Sequence, residues 1–139
     1  SASPWMLDMV WHSIQYFSQH SNLGFALLSS IRYLVAQQYD YAFCTGFNKN
    51  MLKIQGLSDE DIEKMEKDPL QAPLDDKDRA MVSFVMKAVK SPDDIAEQDV
   101  ERLHDHGWTD SDILDALAHG TNMIGSSILM KTFKMDQAC

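Results

Sequence analysis

The sequence predicts an all-α fold, on three observations. Apolar residues recur at spacings of three and four along most of the chain, which is the period of an amphipathic helix. Capping residues stand just ahead of several of these runs, and glycine or proline follows them. No stretch shows the strict alternation of a strand bounded by turn residues, and no internal repeat is evident. Together they predict a bundle of about six to seven helices in a single domain, residues 1–139.

The first helix is expected from Pro4 to Gln19, with Leu7, Val10, Trp11, Ile14 and Phe17 on one face and Pro4 suited to the first turn. His20-Ser21-Asn22 breaks it. The second runs from Gly24 to Gln38, with Leu27, Leu28, Ile31, Leu34 and Val35 facing inward. The third covers Tyr41 to Gln55. It carries Cys44, Phe47, Met51 and Ile54 on one inward stripe, and Gly56 stops it. Ser58 caps a short helix whose first turn is Asp59-Glu60-Asp61 and which ends near Lys67. Pro69 and Pro73 bracket a loop. Asp75, Asp76 and Asp78 open the next helix, with Met81, Phe84, Val85, Ala88 and Val89 inward, and Ser91-Pro92 ends it. A short helix from Ala96 to His106 is closed by Gly107. Thr109 and Asp112 then form a capping-box pattern, opening a last helix to about Met135. Gly120 and Gly125 inside it mark either a close approach or a bend.

With 139 residues, 45% of them hydrophobic, the chain has enough apolar material for a core. A net charge of -9 opposes binding to nucleic acid or to an anionic membrane surface, both of which need excess Lys and Arg. No apolar run approaches the roughly 18 residues of a membrane span. The start, Ser1-Ala2-Ser3-Pro4, has neither the basic region nor the apolar block of a signal peptide. Two cysteines, Cys44 and Cys139, do not make a disulfide framework, so a cytoplasmic location is expected. Neither a metal nor a cofactor is expected. His104 and His106 point apart on a helix, and no histidine pair is spaced by four. The acidic clusters sit at helix starts, where capping accounts for them. Arg32 could hold an anionic ligand, but the expectation is an acid partner such as Asp40, or a solvent-facing position.

Several phrases, taken in order, resemble the carboxymuconolactone decarboxylase and AhpD-like superfamily. They are a helix ending Gln38-Tyr39-Asp40, then Tyr41-Ala42-Phe43-Cys44, then Gly56-Leu57-Ser58-Asp59-Glu60-Asp61. Asp78-Arg79-Ala80 and the echo Gly107-Trp108-Thr109-Asp110-Ser111-Asp112 follow. The resemblance covers about residues 25–133 and implies an AhpD-like multi-helix bundle that assembles into homotrimers or hexamers. It also implies a Cys-x-x-Cys site with a histidine four residues later and a glutamate on the preceding helix. In such a site the second cysteine attacks a peroxide, and the first donates a proton and then closes a disulfide. Here the second cysteine falls on Cys44, the first on Tyr41, the histidine on Asn48 and the glutamate near Ser29.

A phenol cannot close a disulfide, Asn48 cannot carry positive charge as histidine does, and Ser29 cannot act as a base. What is left is a one-cysteine site. Tyr41, Cys44 and Asn48 share a helix face, with Tyr41 to donate a proton or hydrogen bond and Asn48 to orient a ligand. Cys44 falls in the first turn of its helix, where the dipole favours thiolate. Ser29, Phe47 and His119 are the candidate ligand contacts. His119 read structurally is a histidine held by a backbone carbonyl or a partner subunit. Cys44 read structurally is a small apolar residue of its stripe. A resolving thiol would come from a small thiol, a partner protein or Cys139. The expected function is thiol-dependent peroxide reduction or redox sensing at Cys44 in a homo-oligomer. The alternatives are a non-enzymatic helical oligomer or small-molecule-binding module, and a lyase or isomerase of a small organic acid.

Overall fold

The computed structural model describes residues 3–135 and has no strand among them. Seven α-helices follow in order: α1 (Pro4–Ser18), α2 (Phe25–Gln38), α3 (Ala42–Ile54), α4 (Asp59–Lys67), α5 (Asp76–Lys90), α6 (Glu97–Asp105) and α7 (Asp110–Thr132). Short 3₁₀ turns at Pro69–Gln71 and Pro92–Asp94 fill the two proline-containing connections. Cys139 lies outside the described residues.

The starts and stops lie where the sequence places them. Ser58 and Asp61 exchange hydrogen bonds across the first turn of α4, at 3.1 and 2.9 Å. Thr109 and Asp112 do the same at α7, both at 3.1 Å. Each exchange satisfies two N–H groups that the helix start would leave unpaired. Gly56 and Gly107 end their helices at φ of 98° and 90°, a backbone region that side chains disfavour.

α2 is the central helix. Leu27, Leu28, Ile31, Tyr33, Leu34, Val35 and Ala36 are all buried, so it is apolar almost all round. It packs against α3, α5 and α7. From α5 come Met81, Val82, Phe84, Val85 and Met86, and from α7 Ile113 and Ala116. The hydroxyl of Tyr33 donates to Glu66, tying α2 to α4. Trp108 is buried, donates to the Lys77 carbonyl at 2.9 Å and lies under the Lys77 ammonium. Gly120 is a point of close approach. A side-chain carbon there would lie 2.9 Å from Val85 and 3.4 Å from Ile31, so α2, α5 and α7 meet at its bare backbone. α7 runs unbroken through Gly125, where a side-chain carbon would meet nothing within 4 Å.

Two stripes differ from expectation. α1 buries no residue, and its apolar face is open, with Trp5 67%, Leu7 59%, Val10 52%, Trp11 59% and Ile14 56% exposed. Among the described residues, its side-chain hydrogen bonds to other helices lie at and just beyond its C-terminal end. There Phe17 packs on the core, and Tyr16 and His20 both bond Asp115 of α7, at 2.5 and 3.0 Å. On α3, Phe47 and Ile54 point outward, at 53% and 77% exposed. The inward stripe is instead Cys44, Asn48 and Leu52, continuing the buried Tyr41. Its polar members hide it from any reading that follows hydrophobicity alone.

Candidate thiol site

The site begins with the turn between α2 and α3. Asp40 takes φ of 51°, a left-handed conformation that aspartate tolerates better than most side chains. The Tyr41 N–H then donates to the Ala36 carbonyl at 2.8 Å, and the chain reverses within three residues. This places the first turn of α3, carrying Cys44, against the middle of α2. Asp40 is therefore spent on the turn, and its exposed side chain is not the partner of Arg32.

Arg32 is the hub, with its guanidinium turned inward rather than to solvent. Nε donates to Asn48 Oδ1 at 2.9 Å, Nη1 to His119 Nε2 at 3.0 Å, and Nη2 to Ser29 Oγ at 3.0 Å. Asn48, 1% exposed, donates its other amide edge to the Cys44 carbonyl at 2.8 Å. Gln55, near the far end of α3, reaches Ser29 at 3.4 Å. An arginine can only donate, so Nε2 of His119 must be the bare nitrogen and its proton sits on Nδ1. The His119 ring is covered by Phe17 of α1, with centroids 4.4 Å apart.

The electrostatics follow from this packing. All three partners of Arg32 are neutral, and among the described residues no ion pair forms at it. Burial lowers its pKa, and the neighbouring Cys44 opposes that. Burial likewise raises the Cys44 thiol, against a hydrogen bond from Tyr41 and the Arg32 charge, which both pull it down. The balance is upward, so position in the first turn does not by itself make Cys44 a thiolate. His119 falls to about 3, through burial and the Arg32 charge beside it. It is a neutral ring held in place, not a proton carrier near neutrality.

The structure thus brings together Ser29, Tyr41, Cys44, Asn48 and His119 from the sequence-derived set. Phe47 stands apart from them, exposed on the outer side of α3. The partner of His119 among the described residues is Arg32, not a backbone carbonyl. Sequence reasoning missed Arg32 as the organiser. The signal was present, since Arg32 is the only charged residue in the mostly apolar run Leu27 to Ala36.

No family model matches the sequence, and neither does any curated protein. Solved structures do match. One is an uncharacterized peroxidase-related protein from Silicibacter sp. TM1040, with a TM-score of 0.79 and 20% identity over 94% of this chain and 69% of that one. Another is an alkylhydroperoxidase AhpD core, an uncharacterized peroxidase-related protein from Ralstonia eutropha JMP134, with a TM-score of 0.73 and 22% identity over 91% of this chain and 68% of that one. The chain has the AhpD-like fold. In this AhpD-like frame the four positions that the sequence resemblance singles out, Ser29, Tyr41, Cys44 and Asn48, lie in one cluster around Arg32. Among the described residues, no three His, Cys, Asp or Glu side chains gather as a metal site would need. No described helix is long and apolar enough to cross a membrane.

Proposed function

We propose that the protein reduces peroxides, or senses them, through a single cysteine, Cys44. The observation that carries this reading is the inward-turned Arg32 guanidinium beside Cys44, with only neutral partners. A buried, uncompensated charge costs several kcal/mol. A Cys44 thiolate or an oxyanion at the same place would neutralise it. Both AhpD-like neighbours are described as peroxidase-related, which supports the same reaction class.

In the proposed reaction the Cys44 thiol passes its proton to the entering peroxide, on the oxygen that will depart. The sulfur attacks one peroxide oxygen, the O–O bond breaks, and an S–O bond forms. The departing oxygen leaves beside Arg32 already protonated, so that thiol and hydroperoxide become sulfenic acid and alcohol. Tyr41 stabilises the thiolate by its hydrogen bond. One molecule of an external thiol then condenses with the sulfenic acid, releasing water and leaving a mixed disulfide. A second reduces that disulfide and restores Cys44.

A small-molecule-binding module is the second reading, favoured by the upward balance at Cys44. The lyase or isomerase reading has less support, because it needs a base and His119 at about 3 is a weak one. The protein is proposed to act as a homo-oligomer, supported by the open apolar face of α1. Solvent-exposed patches of that kind are uncommon on monomers.

The test is to treat native protein with hydrogen peroxide and a sulfenic-acid trap, and to map the adduct by mass spectrometry. The adduct is expected on Cys44, and peroxide consumption should fall to the buffer rate in Cys44→Ser. A native Cys44 that stays unlabelled, while the denatured control labels, removes the peroxide reading and leaves the binding module.

A further inference from the structure

A cleft of about 650 Å³ lies away from Cys44, between α5 and α6. It shares no residue with the thiol site. Its walls hold two of the chain's three arginines, Arg79 and Arg102, together with Lys87 and His106. Its apolar lining is Phe84 and Leu103, both buried, with Ala80 and the exposed Leu70, and Ser83 also lines it. We infer that this cleft binds a small amphipathic organic anion, with a carboxylate or phosphate head and an apolar body.

The charge pattern carries the inference. Two carboxylates face three fixed cations in the cleft, an excess of one positive charge in a chain whose formal net charge is -9. Asp99 is shared. It accepts from Lys87 at 2.8 Å, lies 3.7 Å from Arg102, and also accepts the Ala96 N–H at the start of α6 at 2.9 Å. One carboxylate therefore serves two cations and a helix end, which leaves donor capacity on Lys87 and Arg102. Arg79 pairs with Asp76, which is 81% exposed, and such surface pairs hold weakly enough for a ligand anion to compete. Arginine forks match the two oxygens of a carboxylate or phosphate. The volume is in the range of roughly 300–1,000 Å³ typical of small-ligand clefts, and the apolar lining gives the body of the ligand somewhere to bury.

The experiment is an NMR titration of the ¹⁵N-labelled full chain with phenyl phosphate, with benzoate and with the neutral benzyl alcohol, each to roughly millimolar concentration, as suits ligands of this size. Inorganic phosphate is the control for head group alone. Shifts are expected at Ser83, Phe84 and Leu103 with either anion, the stronger of the two identifying the head group. They should exceed those with benzyl alcohol or inorganic phosphate, and weaken as salt is raised. In the double variant Arg79→Gln/Lys87→Gln the affinity should fall about tenfold or more. Both side chains are solvent-reaching, and the variant's own spectrum reports whether it is folded. The inference is overturned if benzyl alcohol binds as well as the anions, if the shifts map outside the cleft, or if neither anion shifts these residues. Failure here leaves the Cys44 reading untouched, since the two sites share no side chain.

Discussion

Arg32 decides the character of the thiol site at the residue scale. Its charge opposes the rise that burial imposes on Cys44. Removing that charge in Arg32→Gln should raise the Cys44 pKa further. Iodoacetamide alkylation at near-neutral pH should then slow, and its pH profile should move upward. An unchanged profile would mean that Arg32 does not act on the thiol. His119 makes a second prediction. Its folded pKa, about 3, lies below the ordinary histidine value of 6.5, so between those values the unfolded chain binds more protons than the native one. Stability from this group is therefore complete above about 6.5 and is lost as pH falls toward 3. The full loss is on the order of a few kcal/mol. In His119→Gln an amide oxygen can still accept from Arg32 but does not titrate. The fall in unfolding temperature from neutral to mildly acidic pH should be shallower than in the unaltered protein, as measured by circular dichroism.

At the scale of elements, the two glycines of α7 have opposite roles although they look alike in sequence. Gly120→Ala would press a methyl against Val85, a stiff β-branched side chain with no exposure. Overpacking of this kind typically costs 1–3 kcal/mol, against the roughly 1 kcal/mol that alanine returns in helix propensity. The expected result is a net loss of about 1 kcal/mol and a lower unfolding temperature. Gly125→Ala meets nothing within 4 Å and should raise stability by about 0.5–1 kcal/mol. Chemical denaturation of the two variants side by side checks the signs. Two stabilising results would mean that the three helices do not meet at Gly120 as described. The short turn at Asp40 has a comparable role for the site, because it sets the register of α3 against α2 and so brings Asn48 to Arg32.

At the scale of the whole molecule, the open face of α1 is the largest departure from an ordinary monomer surface. If this face joins copies of the chain, light scattering should give a mass that is a multiple of 15.8 kDa. The variant Leu7→Glu/Trp11→Glu should shift it toward a single chain, because charge buried at an apolar interface is costly. A monomeric mass for the unaltered protein would count against assembly. Phe17 links this face to the thiol site through His119, so the same variant also reports whether assembly affects Cys44 reactivity.

The sequence by itself determined the helices and their ends. Caps, stops and the 3.6-residue period are local, and each is decided within a few residues by backbone hydrogen bonding and side-chain shape. Ser58, Gly56, Thr109 and Gly107 all behave as read, and the buried face of α2 was legible from its apolar period. Cys44, Tyr41, Asn48 and Ser29 were legible only through the spacing that the resemblance supplied. Tertiary structure alone decided which polar side chains are enclosed. The left-handed turn at Asp40 and the angle of α3 on α2 turn Asn48 inward and Phe47 outward, against their hydrophobicity. Arg32 and His119 are 87 residues apart in the chain, and no local rule pairs them. Their meeting depends on the packing of α7 across α2 at Gly120, a contact between distant segments that depends on shape rather than on any pattern along the chain.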